Sequence, residues 1–527
     1  MKNKSYPLYQ RNVHGSLAAM LETNAREVPQ RVAIRQRKGK NNIEEISYLK
    51  LYEDVKRAVV FVSGIFGMGN HIAIIGENSY EWLLAFLAVA CSGNVAVPVD
   101  KELPADEVKV LLDIADVNAA FVSKTYSDLV ENIEGLKVMP VGCLREIPDV
   151  DLGSEFPEIP WENIAGIFFT SGTTGRSKGV MLTHGNILSE INLGCQHFDP
   201  EGDVTVAMLP FNHAFGLINA IFNCLGYQIT IFITKSLKNV QKDIKENKPS
   251  LIMAVPLFVE TFYKSIMANA KQQGKKEKLE RAMKISDALL KVGIDLRRKF
   301  FADVLEAFGD NLKWLICGGA PLDPYYIKFF RSIGVGILNG YGTTECSPCI
   351  AANRNHHYKD GSVGQVIAGN QVRVAADGEL EIKGPLVMKG YYNNPAATAE
   401  VFSEDGWYKT GDLGYIDEDN FIFLTGRKKN LIILSNGENI SPEELEADFS
   451  IDEAVQEVLV YPTEGKLIAE IYPADKFAGD DEYFTQLMLK VNRGRPLSKQ
   501  IASVKLRDTE FIKNTTHKIV RSKNIPK

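Results

Sequence analysis

The stretch Ile167-Phe-Phe-Thr-Ser-Gly-Thr-Thr-Gly-Arg-Ser-Lys-Gly179 is the most informative in this chain of 527 residues. An apolar strand runs into a turn holding Gly172, Gly175 and Gly179. Small residues there let backbone N–H groups turn toward an anion. Thr170, Ser171, Thr173, Thr174 and Ser177 add hydroxyl donors, and Lys178 adds a point charge. Together they suit a polyphosphate. The spacing is not that of a Walker A loop, which needs Gly-Lys-Ser/Thr after four intervening residues. Ser177 stands where the second glycine belongs, and Gly179 follows the lysine. A plain glycine-rich surface turn is a poor alternative. Three glycines, five hydroxyls and a lysine fall within the ten residues from Thr170 to Gly179.

Outward from this stretch the chain alternates strands with helices. His71-Ile-Ala-Ile-Ile75 and Val95-Ala-Val-Pro-Val99 read as buried strands. Ser16 to Ala25, Tyr48 to Phe66, Glu81 to Ser92 and Ala105 to Ala115 read as helices, with Val32 to Arg35 a short strand. The rhythm returns at Thr205 to Leu209, Ile229 to Ile233, Leu251 to Val255 and Trp314 to Cys317. That pattern predicts an α/β fold with parallel sheets covered on both faces. After Ser347 short strands and turns dominate: Gln371 to Val374, Gly378 to Lys383, Gly414 to Asp417 and Phe421 to Leu424. They predict a β-rich subdomain over about 348–426. Gly426-Arg-Lys-Lys-Asn430 reads as a basic turn and candidate hinge. A last domain, 427–527, has its own mixed pattern, with a helix from Ser441-Pro442, strands at Glu457 to Tyr461 and Leu467 to Tyr472, and a helix at Glu482 to Asn492.

Composition is ordinary for a globular protein, with 45% hydrophobic and 24% charged residues. A formal net charge of -6 gives no reason to expect a nucleic-acid surface. The best basic stretch is Lys271 to Arg281. It reads as a solvated helix or loop, with a phosphate or lipid-headgroup contact as the alternative. Seven scattered cysteines frame no metal site and fit reduced thiols. The first residues lack the apolar core of a signal peptide, and no run of ~20 apolar residues could span a bilayer. These features predict a soluble, cytoplasmic protein.

The phosphate stretch resembles the signature loop of the adenylate-forming, AMP-binding superfamily, which includes acyl-CoA synthetases, luciferases and peptide-synthetase adenylation domains. The resemblance continues, in order, at Leu209-Pro-Phe-Asn-His213, Gly318-Gly-Ala-Pro321, Asn339-Gly-Tyr-Gly-Thr-Thr-Glu345, Tyr408-Lys-Thr-Gly-Asp412, Gly426-Arg427 and Lys513 to Arg521. It covers essentially the whole chain. It implies a large N-terminal domain (1–426) of two doubly wound sheets plus a β-barrel, and a small mobile α+β domain (427–527).

The implied chemistry makes sense of each motif. A carboxylate is a poor acyl donor until its oxygen attacks the α-phosphorus of ATP and AMP becomes the leaving group. Two anions must meet, so the site needs cations and hydrogen-bond donors where charge builds. Glu345 is the natural Mg²⁺ ligand, a hard oxygen for a hard cation, and Thr344 beside it can donate to the α-phosphate. Tyr341 offers an aromatic face and Asn339 an amide to adenine. Gly340, Gly342 and Thr343 complete that motif, and Gly319, Ala320 and Pro321 fit the other side of the base. Asp412, in a tight Gly-Asp turn, suits ribose hydroxyls, and Arg427 ribose or phosphate. Lys518 resembles the family's catalytic lysine, reaching the phosphoryl oxygens when the small domain closes. His517 and Asn514 depart from the residues common around it. Lys429 falls at the family's hinge. Rotation there would exchange Lys518 for a coenzyme A face that includes Ser435, Gly437 and Glu438.

From Val204 to Lys242 there is no Asp or Glu. A substrate ammonium would lack a countercharge, which disfavours amino acids. Gly216, Leu217, Ile218, Ile221, Phe222 and Leu225 are either plain core or the wall of an acyl tunnel. Val97 to Leu103, Val255-Pro-Leu-Phe258 with Pro256, and Gly318 to Asp323 resemble the long-chain acyl-CoA synthetase branch. His213 then gates the tunnel or contacts the carboxylate. A long-chain fatty acid is the leading substrate and a medium-chain or aromatic acid the alternative. Coenzyme A is the default acceptor and acyl carrier protein the runner-up. A nucleotide-binding pseudo-enzyme is the reading from another class. Peripheral membrane contact and the oligomeric state stay open.

Overall fold

A computed structural model describes residues 6–39, 42–148, 155–170, 177–433, 439–463, 465–513 and 519–525. Two compact units emerge: Met1–Val372 with Ile382–Tyr408, and Arg373–Glu381 with Lys409–Lys527.

In the large unit, the described residues form a seven-stranded sheet in the order Gly390–Tyr391, Lys178–Thr183, Ile164–Thr170, Val95–Val99, His71–Ile75, Ala119–Val122, Lys137–Pro140. From Ile164–Thr170 to Lys137–Pro140 the strands run parallel. Their buried apolar runs are what a sheet covered on both faces requires. The other edge is antiparallel: Ile164–Thr170 pairs with Lys178–Thr183, which pairs with Gly390–Tyr391. The glycine-rich stretch therefore joins strand to antiparallel strand, unlike a P-loop, which feeds a helix.

A second sheet has nine described strands: Gln365–Val366, Ala351–Ala352, Gly336–Tyr341, Trp314–Cys317, Leu251–Ala254, Val204–Ala207, Thr230–Ile233, Val32–Arg37 and Ile43–Ser47. Its centre is parallel, while Ile43–Ser47 and the two short strands at the far edge are antiparallel additions.

The helix Tyr80–Cys91 is buried at every position except Glu81. Its Phe86 ring lies 6.2 Å from Phe168 of the first sheet and 5.6 Å from Phe222. Apolar character all round its axis is the sequence cost of lying inside the unit. The longer helix Tyr48–Phe66 keeps an amphipathic pattern. Ser47 Oγ accepts from Lys50 N at its start, and Gly67 ends it at φ +73°.

In the second unit, Gln371–Val374, Glu379–Lys383, Tyr408–Ile416 and Ile422–Arg427 form a four-stranded sheet, whose first three strands each begin or end in the large unit. Val455–Thr463, Lys466–Pro473 and Ile501–Leu506 form a three-stranded sheet packed by Pro442–Ser450 and Asp481–Asn492 around a separate core. Two local expectations change here. Gly411 and Asp412 lie within the strand Tyr408–Ile416 and not in a turn, because Gly411 takes φ +73° and gives its N–H to Glu379 Oε1 at 2.8 Å, so the chain bends without leaving the sheet. Gly426 and Arg427 close a strand, and only Lys428–Asn430 forms a helical turn.

Candidate active site

The two ends of the glycine-rich stretch lie in the strands Ile164–Thr170 and Lys178–Thr183. Thr170 pairs with Lys178 in the antiparallel ladder. Ser171, Gly172, Thr173, Thr174 and Gly175 lie outside the described residues, as do Ser435, Gly437, Glu438 and Lys518.

From Lys178 a chain of contacts leads to Glu345. The Lys178 Nζ sits 4.7 Å from the centroid of the Tyr391 ring. The Tyr391 hydroxyl donates to Glu345 Oε1 at 2.8 Å. Burial, then the Glu345 charge, hold this phenol far above its ordinary range, so it acts as a donor. Tyr391 N–H is accepted by Thr398 Oγ1, and its strand lies beside that of Lys178. Glu345 lies in the helical turn Thr344–Cys346, and its carbonyl accepts from Met388 N at 2.8 Å. Tyr408 is buried close by, and burial with the same carboxylate raises its phenol too. Tyr391 thus touches both the lysine and the carboxylate.

The Asn339 motif follows the second sheet to its edge. Asn339 pairs with Cys317 across parallel strands. Its Oδ1 is buried without a hydrogen-bond partner among the described residues. Unsatisfied buried oxygens are costly and call for a donor or a hydroxyl partner. An exocyclic amine of adenine fits that need. Tyr341 is buried on the same strand. Gly342 can carry no side chain, since a Cβ would lie 1.7 Å from Pro348 O.

Gly318 and Gly319 join this region to the acyl candidates. A Cβ on Gly318 would meet Gly340 O at 3.3 Å and the Phe215 ring at 3.5 Å, and one on Gly319 would meet Val255 at 3.6 Å. Ala320 and Pro321 are exposed next in the chain. Phe215 opens the wide-turn helix Phe215–Asn223, which carries Gly216 and Leu217, and Val255 precedes Pro256, the first residue of Pro256–Gln272. Leu217 has no exposure. Gly216 is locked: a Cβ would sit 2.0 Å from Pro210 O. His213 is half-buried, its N–H bonded to Pro210 O at 3.3 Å. The same helix places Asn219 Nδ2 2.6 Å from Glu190 Oε1, a carboxyl that burial pushes strongly up.

In the second unit Asp412 and Arg427 face each other across the sheet, with Arg427 Nε 2.8 Å from Asp412 Oδ1. Lys428 Nζ reaches Glu379 Oε2 at 2.8 Å and Asp377 Oδ2 at 2.6 Å. At Lys429 burial, then the Arg427 charge, outweigh the pull of Asp412 and Glu443 and lower its ammonium below the ordinary range.

Tyr391, Glu379 and Lys428 are the residues that sequence reasoning missed. Tyr391 stands in Gly390-Tyr-Tyr-Asn393, and only its pairing with a strand over 200 positions earlier gives it meaning.

The donor set fits magnesium nucleotide. Among the described residues no three of His, Cys, Asp and Glu cluster as metal ligands. Mg²⁺ needs no such cage, since it commonly takes one or two carboxylates and completes its shell with phosphates and water.

The sequence profile of the AMP-binding enzyme family matches residues 21–392. The long-chain-fatty-acid–CoA ligase FadD15 of Mycobacterium bovis is 29% identical over 489 residues, covering 85% of this chain and 80% of its own. Long-chain-fatty-acid–CoA ligase 6 of Mus musculus is 26% identical over 471 residues, covering 79% of this chain and 67% of its own. The crystal structure of ATP-bound MatB from Rhodopseudomonas palustris superposes with a TM-score of 0.77 at 23% identity, covering 96% of this chain and 97% of that one; it supports the fold. With motifs, sheets and profile in agreement, the chain belongs to the AMP-binding enzyme family.

Proposed function

We propose that this chain is an AMP-forming acid–thiol ligase that activates a long-chain fatty acid with ATP and passes the acyl group to coenzyme A. The observation that carries the reading is the seat of Gly318 and Gly319, in reach of Gly340 on one side and of Phe215 and Val255 on the other. An acid held among Phe215, Leu217 and Pro256 would present its carboxylate beside a nucleotide held by Asn339 to Thr343. That proximity is what a bimolecular attack between anions requires. The fatty-acid ligases named above support the choice of acid.

In the first half-reaction a carboxylate oxygen attacks the α-phosphorus and pyrophosphate leaves. Thr170 to Gly175 and Lys178 cradle the phosphates, Thr344 donates to the α-phosphate, and Lys518 stabilises the charge that builds there. Glu345 would hold Mg²⁺, which neutralises phosphate charge when bound. Tyr391 keeps Glu345 oriented. Asp412 and Arg427 take the ribose, Tyr341, Ala320 and Pro321 bracket the base, and His213 lies at the tunnel mouth. In the second half-reaction the thiol attacks the acyl carbon and AMP leaves with the bridging oxygen. A domain spanning 427–527 turns about Lys429 between the two, replacing Lys518 with Ser435, Gly437 and Glu438.

Pyrophosphate release across a panel of acids, with and without coenzyme A, tests the reading. Strong release with long-chain acids and a coenzyme A thioester product support it. Preference for an aromatic acid, or for acyl carrier protein as acceptor, would replace the substrate assignment. Because Gly216 tolerates no Cβ, chain length is better probed with the acid panel than by filling that position.

A further inference from the structure

Two helices of the large unit, Pro256–Gln272 and Lys276–Lys291, carry a pattern that acid activation does not use. Between Lys264 and Lys299 eleven lysines and arginines stand against four acids, in a chain whose net charge is -6. The second helix buries Leu279 and Ser286. Its opposite face reads Lys278, Arg281, Ile285, Ala288 and, just past its end, Val292, at spacings of three and four, and all are exposed. Ile285 is 55% exposed, Val292 71% and nearby Ile294 47%. Lys284 and Lys291 flank the stripe and are exposed as well.

The acids nearby do little to cancel this charge. Asp287 accepts from Ser332 Oγ at 3.0 Å, away from the stripe. Asp295 is engaged by Arg297 through two hydrogen bonds. Glu277 meets Arg281 only at 3.8 Å.

We infer that this face docks the protein on an anionic lipid bilayer. Aliphatic side chains flanked by long basic ones on one helix face suit the headgroup boundary. The methyl groups enter the acyl edge, while lysine and arginine stems reach out to lipid phosphates. Each basic group near an anionic surface adds attraction that salt screens. A protein partner fits less well, because protein interfaces are depleted in lysine and enriched in aromatic residues. The exposed stripe of Lys278, Arg281, Ile285, Ala288 and Val292 has no aromatic residue. The use of such docking, delivery of an acid that partitions into lipid, rests on the fatty-acid reading above. The docking itself rests on the helix.

Flotation of the full chain with phosphatidylcholine vesicles, with and without phosphatidylglycerol, tests it. The protein should float with the anionic vesicles, less so as salt rises, and not with the neutral ones. The triple variant Lys278→Glu, Arg281→Glu, Lys284→Glu should lower the partition coefficient by about a hundredfold. The pair Ile285→Ser, Val292→Ser should abolish the part that resists salt. Thermal melting and pyrophosphate exchange with a soluble acid, free of vesicles, should stay as in the unaltered protein. Flotation of the triple variant equal to that of the parent would overturn the inference. So would a parent that ignores anionic vesicles but binds an acidic carrier protein. A failed fatty-acid assignment would instead appear in the vesicle-free acid panel and leave flotation untouched.

Discussion

The two units hold the charged residues of their candidate sites in opposite ways, although the large unit pairs acids with bases elsewhere, as at Arg37 and Asp243. In the large unit Tyr391 touches both Lys178 and Glu345, and Asn339 Oδ1 is buried without a partner among the described residues. In the second unit acid meets base directly, Asp412 with Arg427 and Lys428 with Asp377 and Glu379. The first arrangement is set for a ligand and carries the desolvation cost in its absence. The second is satisfied by itself, so a ribose there must share or displace an ion pair. If the proposed function holds, preorganisation belongs to the large unit and exchange to the smaller one.

The largest effect tests whether the second unit contributes to the chemistry at all. Lys518→Ala should reduce adenylate formation by about 10²–10³-fold, as loss of a transition-state donor does, and should spare thioester formation from pre-made acyl-adenylate. Equal loss in both half-reactions would break the exchange picture. Next comes the tyrosine. Tyr391→Phe keeps the ring under Lys178 and removes the bond to Glu345. It should raise the Mg²⁺ concentration for half-maximal exchange about tenfold, as expected for a hydrogen bond to a charged group, with the acid KM unchanged. An unchanged Mg²⁺ profile would mean that Glu345 needs no such support.

Asp412→Asn should raise the KM for ATP several-fold. It should move the melting temperature little, because the neutral amide removes the buried charge and the partner left behind, Arg427, is half-exposed and stays solvated. A large loss of stability would show that the pair is structural. The last effect belongs to the large unit alone. Burial lowers His184 and His197 from 6.5 to about 4. Between those values the unfolded chain binds protons that the folded one refuses. Stability should be full above about pH 6.5 and decline as the pH falls toward 4, by up to ~3 kcal/mol per ring. Urea midpoints from pH 7.5 to 4.5 check this, and a flat profile would contradict it.

Much of this was legible in the sequence because local signals agreed. Ser47 and Gly67 bound the helix Tyr48–Phe66, and the apolar runs at His71–Ile75 and Val95–Val99 are strands over the expected residues. The family motifs picked out Asn339 and Glu345, but the strand Gly336–Tyr341 that carries the first and the helical turn that carries the second were not among the expected elements. Tyr391 stayed hidden because a two-residue strand has no periodicity and its partners are distant. Asp412 looked like a turn residue because Gly-Asp is a turn signal, yet Glu379 satisfies the bent backbone inside a sheet. The antiparallel edges were missed for a similar reason: strand direction depends on pairing, which no single segment encodes.

The central claim is that a carboxylate oxygen of the acid attacks the α-phosphorus of ATP. Supplying a fatty acid with both carboxylate oxygens labelled as ¹⁸O, together with ATP, Mg²⁺ and coenzyme A, tests it in one mass spectrum. The account predicts AMP carrying one ¹⁸O and unlabelled pyrophosphate. Unlabelled AMP alongside thioester product, or label in pyrophosphate or phosphate, would contradict it.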